Sequence, residues 1–173
     1  MSAEHPGTAW EHIGEKVSAL SGNGPDYVDV FVQSGAGHSV TFEKGRIEEV
    51  SSAASGGVGA RVLLEDHSVF SHSPDCSVSG AADCLEKVLS RARLSSSGKT
   101  FPCKVSISFD PTRLKVPDVS PFGQLDRAIR SSSPFVRQVT LRHRVSGKRI
   151  LVVRGDGNLV FDERFHSLFA VQV

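Results

Sequence analysis

The residues of this chain best suited to metal or nucleophilic chemistry are its seven histidines and three cysteines. The histidines are His5, His12, His38, His67, His72, His143 and His166. Two imidazoles one helical turn apart, with a glutamate beside the first, would hold zinc and take a proton from its bound water. None of the seven is followed by Glu and then by another His at helical spacing. The densest grouping is His67, His72 and Cys76, on a segment that reads as a loop, and it has no fourth ligand nearby. Its expected state is three solvated side chains without metal. Cys76, Cys84 and Cys103 are odd in number and form no CxxC pair, which points to reduced thiols in a reducing compartment. Cys84 falls inside an apolar helical pattern, where a thiol acts as a small hydrophobe. No GxSxG elbow is present to raise a serine nucleophile. The expected catalytic, cofactor-binding and metal-binding sets are therefore all empty.

Two further patterns have binding chemistry to offer. Gly56-Gly57-Val58-Gly59 would suit a phosphate loop only if it opened onto a helix N-terminus, and it leads into a strand. A turn or bulge is the expected use of these glycines. Lys44-Gly45-Arg46 and the run Arg137, Arg142, His143, Arg144, Lys148, Arg149 are the main basic features. The second alternates with Val139, Leu141 and Val145, which puts its charges on the solvated face of a strand pair. No aromatic residues interleave to stack bases, and 20 basic residues against 19 acidic leave a net charge of only +1. Nucleic acid is not an expected partner.

The elements that position these residues are legible from periodicity. Trp10, Ile13, Val17 and Leu20 predict a first helix, stopped by Gly22 and the Gly24-Pro25 pair. Ala81, Leu85, Val88 and Ala92 predict a second, with Arg91 and Arg93 in its last turn. Phe122, Leu125, Ala128 and Ile129 predict a third, with Ser120 as N-cap and Pro121 at the first helical position. Between the first two helices, four short strands are expected. Val28, Val30 and Val32 alternate in the first, Val40 and Phe42 in the second. Lys44-Gly45 forms a hairpin turn into Ile47–Val50, and Gly56-Gly57 breaks the chain before Val58, Ala60, Val62 and Leu64. Four more follow the third helix: Val136–Leu141, Ile150–Val153, Leu159–Phe161 after a turn at Gly155–Asn158, and Phe165–Val173. Between helices two and three the Pro- and Ser-rich stretch reads as a surface crossover, with one short alternating run at Val105, Ile107 and Phe109.

The order of helix, strands, glycine turn and strands occurs twice, and "GVGARV" lines up roughly with "LFAVQV". The expected fold is α+β, made of two related units of helix plus antiparallel β-meander. They cover residues 1–94 and 121–173, joined by the crossover at 95–120. A composition 39% hydrophobic and 23% charged is ordinary for a globular protein and sufficient for a buried core. No apolar run is long enough to span a bilayer, and the N-terminus lacks the basic and apolar regions of a secretory signal. A cytoplasmic address is the expectation. The second unit stops at Val173 inside an apolar strand, which suggests a longer architecture. Phe169, Val171 and Val173 are then the expected exposed apolar group and a site of self-association.

The segments "DYVDVFV", "VTFEKGRIEEVSS" and "GVGARVL", with "VRQVT" and "DGNLVFDER" later, resemble the N-terminal domain of the TldD/PmbA family of zinc-dependent peptidases, once described as modulators of DNA gyrase. The loop after Leu64 departs from the glycine-rich pattern usual there. The family's zinc sits on an HExxxH helix, which this sequence does not contain. The resemblance therefore implies a non-catalytic N-terminal portion of a TldD/PmbA-like metallopeptidase, inactive alone and without its own cofactor. Zinc would belong to the parent protein. Such a portion would supply scaffold, dimer contacts with a TldD/PmbA-type subunit and guidance of a peptide substrate. The alternatives are a standalone partner-binding module without activity and a modulator of DNA gyrase.

Overall fold

In the computed structural model, residues 8–20, 24–94 and 106–173 are described. Gly22, Cys103, His5 and Val105 lie outside them. Three helices and five strands follow in the order α1 (Thr8–Leu20), β1 (Tyr27–Glu43), β2 (Arg46–Leu64), β3 (His67–Ser73), α2 (Val78–Arg91), α3 (Phe122–Ser132), β4 (Thr140–Val153) and β5 (Leu159–Gln172). The strands form one antiparallel sheet in the order β3-β2-β1-β4-β5, so the fold is α+β as expected.

The eight short strands expected from the sequence are in fact four long ones plus β3. Gly35, Gly37, Gly56 and Gly57 do not break the chain, because none has the positive φ of a tight turn. They serve close approach instead. A Cβ on Gly35 would lie 2.9 Å from the carbonyl oxygen of Gly147, and one on Gly56 2.9 Å from Cys76 Sγ. Glycine in a strand marks such contacts as well as it marks bends. One register runs through the β1–β2 pair: Asp29 meets Arg61 at 2.8 Å, His38 meets Ser52 at 2.7 Å and Ser39 meets Ser51 at 2.8 Å. The β1–β4 pair is equally regular, with Thr140 bonded to Glu43 and Arg142 to Thr41 while Gly37 faces Ser146 and Gly35 faces Lys148.

The real turns are those with left-handed backbone. Lys44 (φ 54°) and Gly45 (φ 78°) form the two-residue β1–β2 hairpin, as the sequence predicts. Gly157 (φ 81°) closes the β4–β5 turn, where its N–H donates to Arg154 O. A turn at Glu65–Asp66 joins β2 to β3, which pairs from Val58↔Ser73 to Leu64↔His67. The segment holding His67 and His72, read as loop, is thus a strand. Ser106 makes only an isolated bridge to Ser77, so the run at Ile107 and Phe109 is not a strand, although both side chains are buried.

The helix ends differ from expectation in two places. Helix α2 stops at Arg91, and Arg93 lies beyond it at φ 57°. There it closes a Schellman motif: Arg93 N–H donates to Ser90 O and Leu94 N–H to Leu89 O. At the start of α3, Pro121 rather than Ser120 holds the cap position, without a side-chain cap. The Ser120 N–H is taken by Asp118 Oδ1 at 2.9 Å.

Two compact units share the chain. The first comprises Met1–Ser34, Ser55–Phe109 and Arg149–Glu163; the second comprises Gly35–Ala54, Asp110–Lys148 and Arg164–Val173. The first has a core of Trp10, Ile13 and Val17 from α1, Leu85 and Val88 from α2, the alternating valines of β1 and β2, and Leu151 and Val153. The second has a smaller core of Phe42, Phe122, Val139 and Leu141. There the rings of Phe42 and Phe122 meet edge to face at 5.8 Å, a favoured aromatic geometry.

Candidate interaction surface

His67, His72 and Cys76 are not gathered into a metal site. His67 and His72 are five residues apart on β3, so they point to opposite faces and lie about 16 Å apart along the strand. His67 Nδ1 pairs with Asp66, and His72 stacks on Phe70. Cys76 Sγ donates to Gln33 O at 3.4 Å, and burial raises the Cys76 and Cys84 thiols above their ordinary range. A raised pKa keeps a thiol protonated and poorly nucleophilic. Among the described residues, no cluster of three His, Cys, Asp or Glu is arranged to hold a metal ion.

The serine–histidine pairs are also short of a catalytic set. His38 Nδ1 meets Ser52 Oγ at 2.7 Å, and His143 Nε2 meets Ser167 Oγ at 3.0 Å. A triad needs a carboxylate to orient the imidazole. Asp118 feels the charge of His143, but its Oδ1 accepts from the Ser120 N–H. Its carboxyl is held below the usual range chiefly by those bonds to Ser120.

What the sheet does present is two edges. Its outer strands are β3 and β5. Strand β3 covers β2 only from Val58 to Leu64, and residues 46–56 of β2 are exposed along their whole length, with Val50 70% accessible. On β5 every residue from Arg164 onward is exposed. Phe165, Leu168, Phe169 and Val171 stand there with no Lys, Asp, Glu or Pro between Phe165 and Val173. Those are the residues that normally discourage strand addition at an edge. Val171 and Val173 are open as expected. Phe169 is different: although 45% exposed, its ring packs on Phe122 at 5.6 Å and on His143 at 6.1 Å. It belongs partly to the second core. Nothing in the local sequence signals this, because Phe122 and His143 come from distant elements.

Residues 28–95, which include β2, β3 and α2, match the sequence profile of PmbA/TldA metallopeptidase domain 1. Over that stretch the chain is similar to the first domain of the PmbA/TldD family. Solved structures agree on the fold. TldE from Thermococcus kodakarensis superposes with a TM-score of 0.58 at 14% identity, covering 92% of this chain and 38% of that one. A proposed modulator of a DNA gyrase from Thermotoga maritima gives 0.53 at 14% identity, again covering 92% and 38%. A corresponding protein from Bacteroides thetaiotaomicron gives 0.51 at 10% identity, covering 94% and 39%. This chain thus spans about two-fifths of the length of the structures it resembles. Curated protein sequences gave no significant match. No helix among the described residues is long and apolar enough to cross a membrane. The matched stretch includes the open part of β2 and does not extend to β5.

Proposed function

We propose that this chain acts as a non-catalytic N-terminal portion of a PmbA/TldD-like metallopeptidase in the cytoplasm. Its work is to supply scaffold, contacts to a second family subunit and guidance of an extended peptide toward a zinc site carried elsewhere. The observation that carries this reading is the exposed edge of β5 from His166 onward, which holds no Lys, Arg, Asp or Glu, in a chain whose residues 28–95 match this family. Such an edge binds an extended chain through backbone hydrogen bonds, with alternate side chains setting preference. The same edge also suits a standalone module that binds a partner and catalyses nothing.

The two readings separate when the chain is mixed with a family protein bearing HExxxH. Under the first, the mixture co-sediments and peptide turnover by the zinc-bearing partner changes. Under the second, turnover is unaffected. Under both, the chain alone cleaves no peptide and holds no stoichiometric zinc. Zinc near one equivalent after metal-free purification, measured by elemental analysis, would overturn both and return attention to His67, His72 and Cys76.

A further inference from the structure

The second unit contains a shallow cleft of about 490 Å3, lined by Lys44, Gly45, Asp126, Arg130, Arg137 and Gln138. Three of these six are cations, drawn from the β1–β2 hairpin tip, from α3 and from the segment before β4. They are arranged with care. Asp126 is 5% exposed and receives Arg130 Nε on both carboxylate oxygens, at 3.0 and 3.2 Å, one helical turn along α3. Arg130 Nη1 then donates to Arg137 O at 3.3 Å, which ties the Arg137 backbone to the helix. The Arg137 guanidinium itself meets no acceptor among the described residues. Its full fork of donors is available, the geometry that matches a carboxylate in two places.

Lys44 is the second sign of a built site. Its φ of 54° is the left-handed backbone for which hairpin tips select Asn, Asp or Gly. A lysine in that position holds strain that a turn alone does not require, and such outliers gather at binding sites. Lys44 Nζ reaches Glu43 only at 3.6 Å, too long for a good hydrogen bond.

We propose that this cleft binds a single carboxylate, that of a peptide C-terminus. The charge balance selects the anion. Lys44, Arg130 and Arg137 are opposed by Asp126 inside the cleft and by Glu43 beside Lys44, which leaves one positive charge uncompensated. A monoanion neutralises that charge, whereas a phosphate dianion would leave an excess against the carboxylates already there. The anion site stands on this geometry alone; its assignment to a peptide rests on the function proposed above.

The test is a titration of the isotopically labelled chain followed by amide NMR. The probes are N-acetyl-trialanine as the free acid, the same peptide as its C-terminal amide, and inorganic phosphate. The free acid is expected to shift the Gly45 and Gln138 resonances, with the amide inert at equal concentration. Arg137→Gln is expected to weaken binding about tenfold or more, the loss of a charge-assisted pair. Arg137 is exposed, so this variant keeps its fold, which the fluorescence of the single tryptophan, Trp10, verifies. Lys44→Gly relieves the backbone strain and should weaken binding while stabilising the hairpin. Equal shifts from acid and amide, or stronger binding of phosphate, would overturn the proposal. Failure of the co-sedimentation experiment would instead remove the scaffold reading and leave this titration standing.

Discussion

Gly14, in the middle of α1, and Gly157, at the tip of the β4–β5 turn, touch backbone to backbone. A Cβ on Gly14 would collide with the Gly157 carbonyl oxygen, and a Cβ on Gly157 would lie 2.8 Å from the Gly14 carbonyl oxygen. Neither neighbour is a flexible side chain, so neither can yield cheaply. The contact brings residues early and late in the sequence together inside the first unit.

Replacing Gly14 with Ala should therefore destabilise the protein, although Ala favours a helix interior over Gly by about 1 kcal/mol. The steric penalty for overpacking is about 1–3 kcal/mol and should win. Urea unfolding followed through Trp10 fluorescence measures the difference. Gly45 gives the contrast, since a Cβ there meets nothing within 4 Å. Gly45→Asn, which tolerates the left-handed backbone, should be nearly neutral. A Gly14→Ala variant as stable as the parent would mean that α1 slides freely off the turn.

The exposed edge of β5 should make the chain self-associate at micromolar concentrations. Leu168→Lys with Val171→Lys should shift it toward monomer, because an edge charge opposes strand addition. Phe169 is best left intact, since its contacts with Phe122 and His143 would confound the result. Sedimentation across that range is the measurement. A wild-type chain that stays monomeric throughout would show that the terminal strand does not pair with another copy.

Acid should loosen the start of α2. Asp75 Oδ1 accepts from the Ser77 N–H at 2.9 Å, while Ser77 Oγ caps the helix by accepting from Gly80 N–H. Bonding to Ser77 holds the Asp75 carboxyl below its ordinary value of 3.8. A depressed folded-state pKa adds stability that is fully present above the unfolded value and is lost as pH falls through the folded one. The loss thus falls below pH 3.8 and should vanish in Asp75→Asn. Amide exchange of residues 78–82 against pH reports it; identical acid profiles for the two proteins would refute the assignment.

The helices were legible because their apolar spacing is a local signal: Trp10, Ile13 and Val17 need only one another to declare a face. The hairpin at Lys44–Gly45 was legible for the same reason. Glycines within the sheet were not. Gly35 and Gly56 sit where a neighbour comes too close for a side chain, and the neighbours, Gly147 and Cys76, are remote in sequence. Periodicity cannot distinguish that use from a turn. Strand β3 was hidden by its polar alternation, Ser68, Phe70 and His72 on one face, with only Ser71 buried on the other. The basic cleft was invisible because Lys44, Arg130 and Arg137 meet only after three separate elements have folded.

The long strands have a consequence for how such a protein can be inherited. Strand β1 runs unbroken from Val32, in the core of the first unit, to Phe42, in the core of the second, and each unit is assembled from three stretches of chain. No single cut yields one unit intact, so neither can be shuffled between genes as a cassette. Most stabilising contacts join distant parts of the chain, which also slows folding, since long loops must close before they are rewarded.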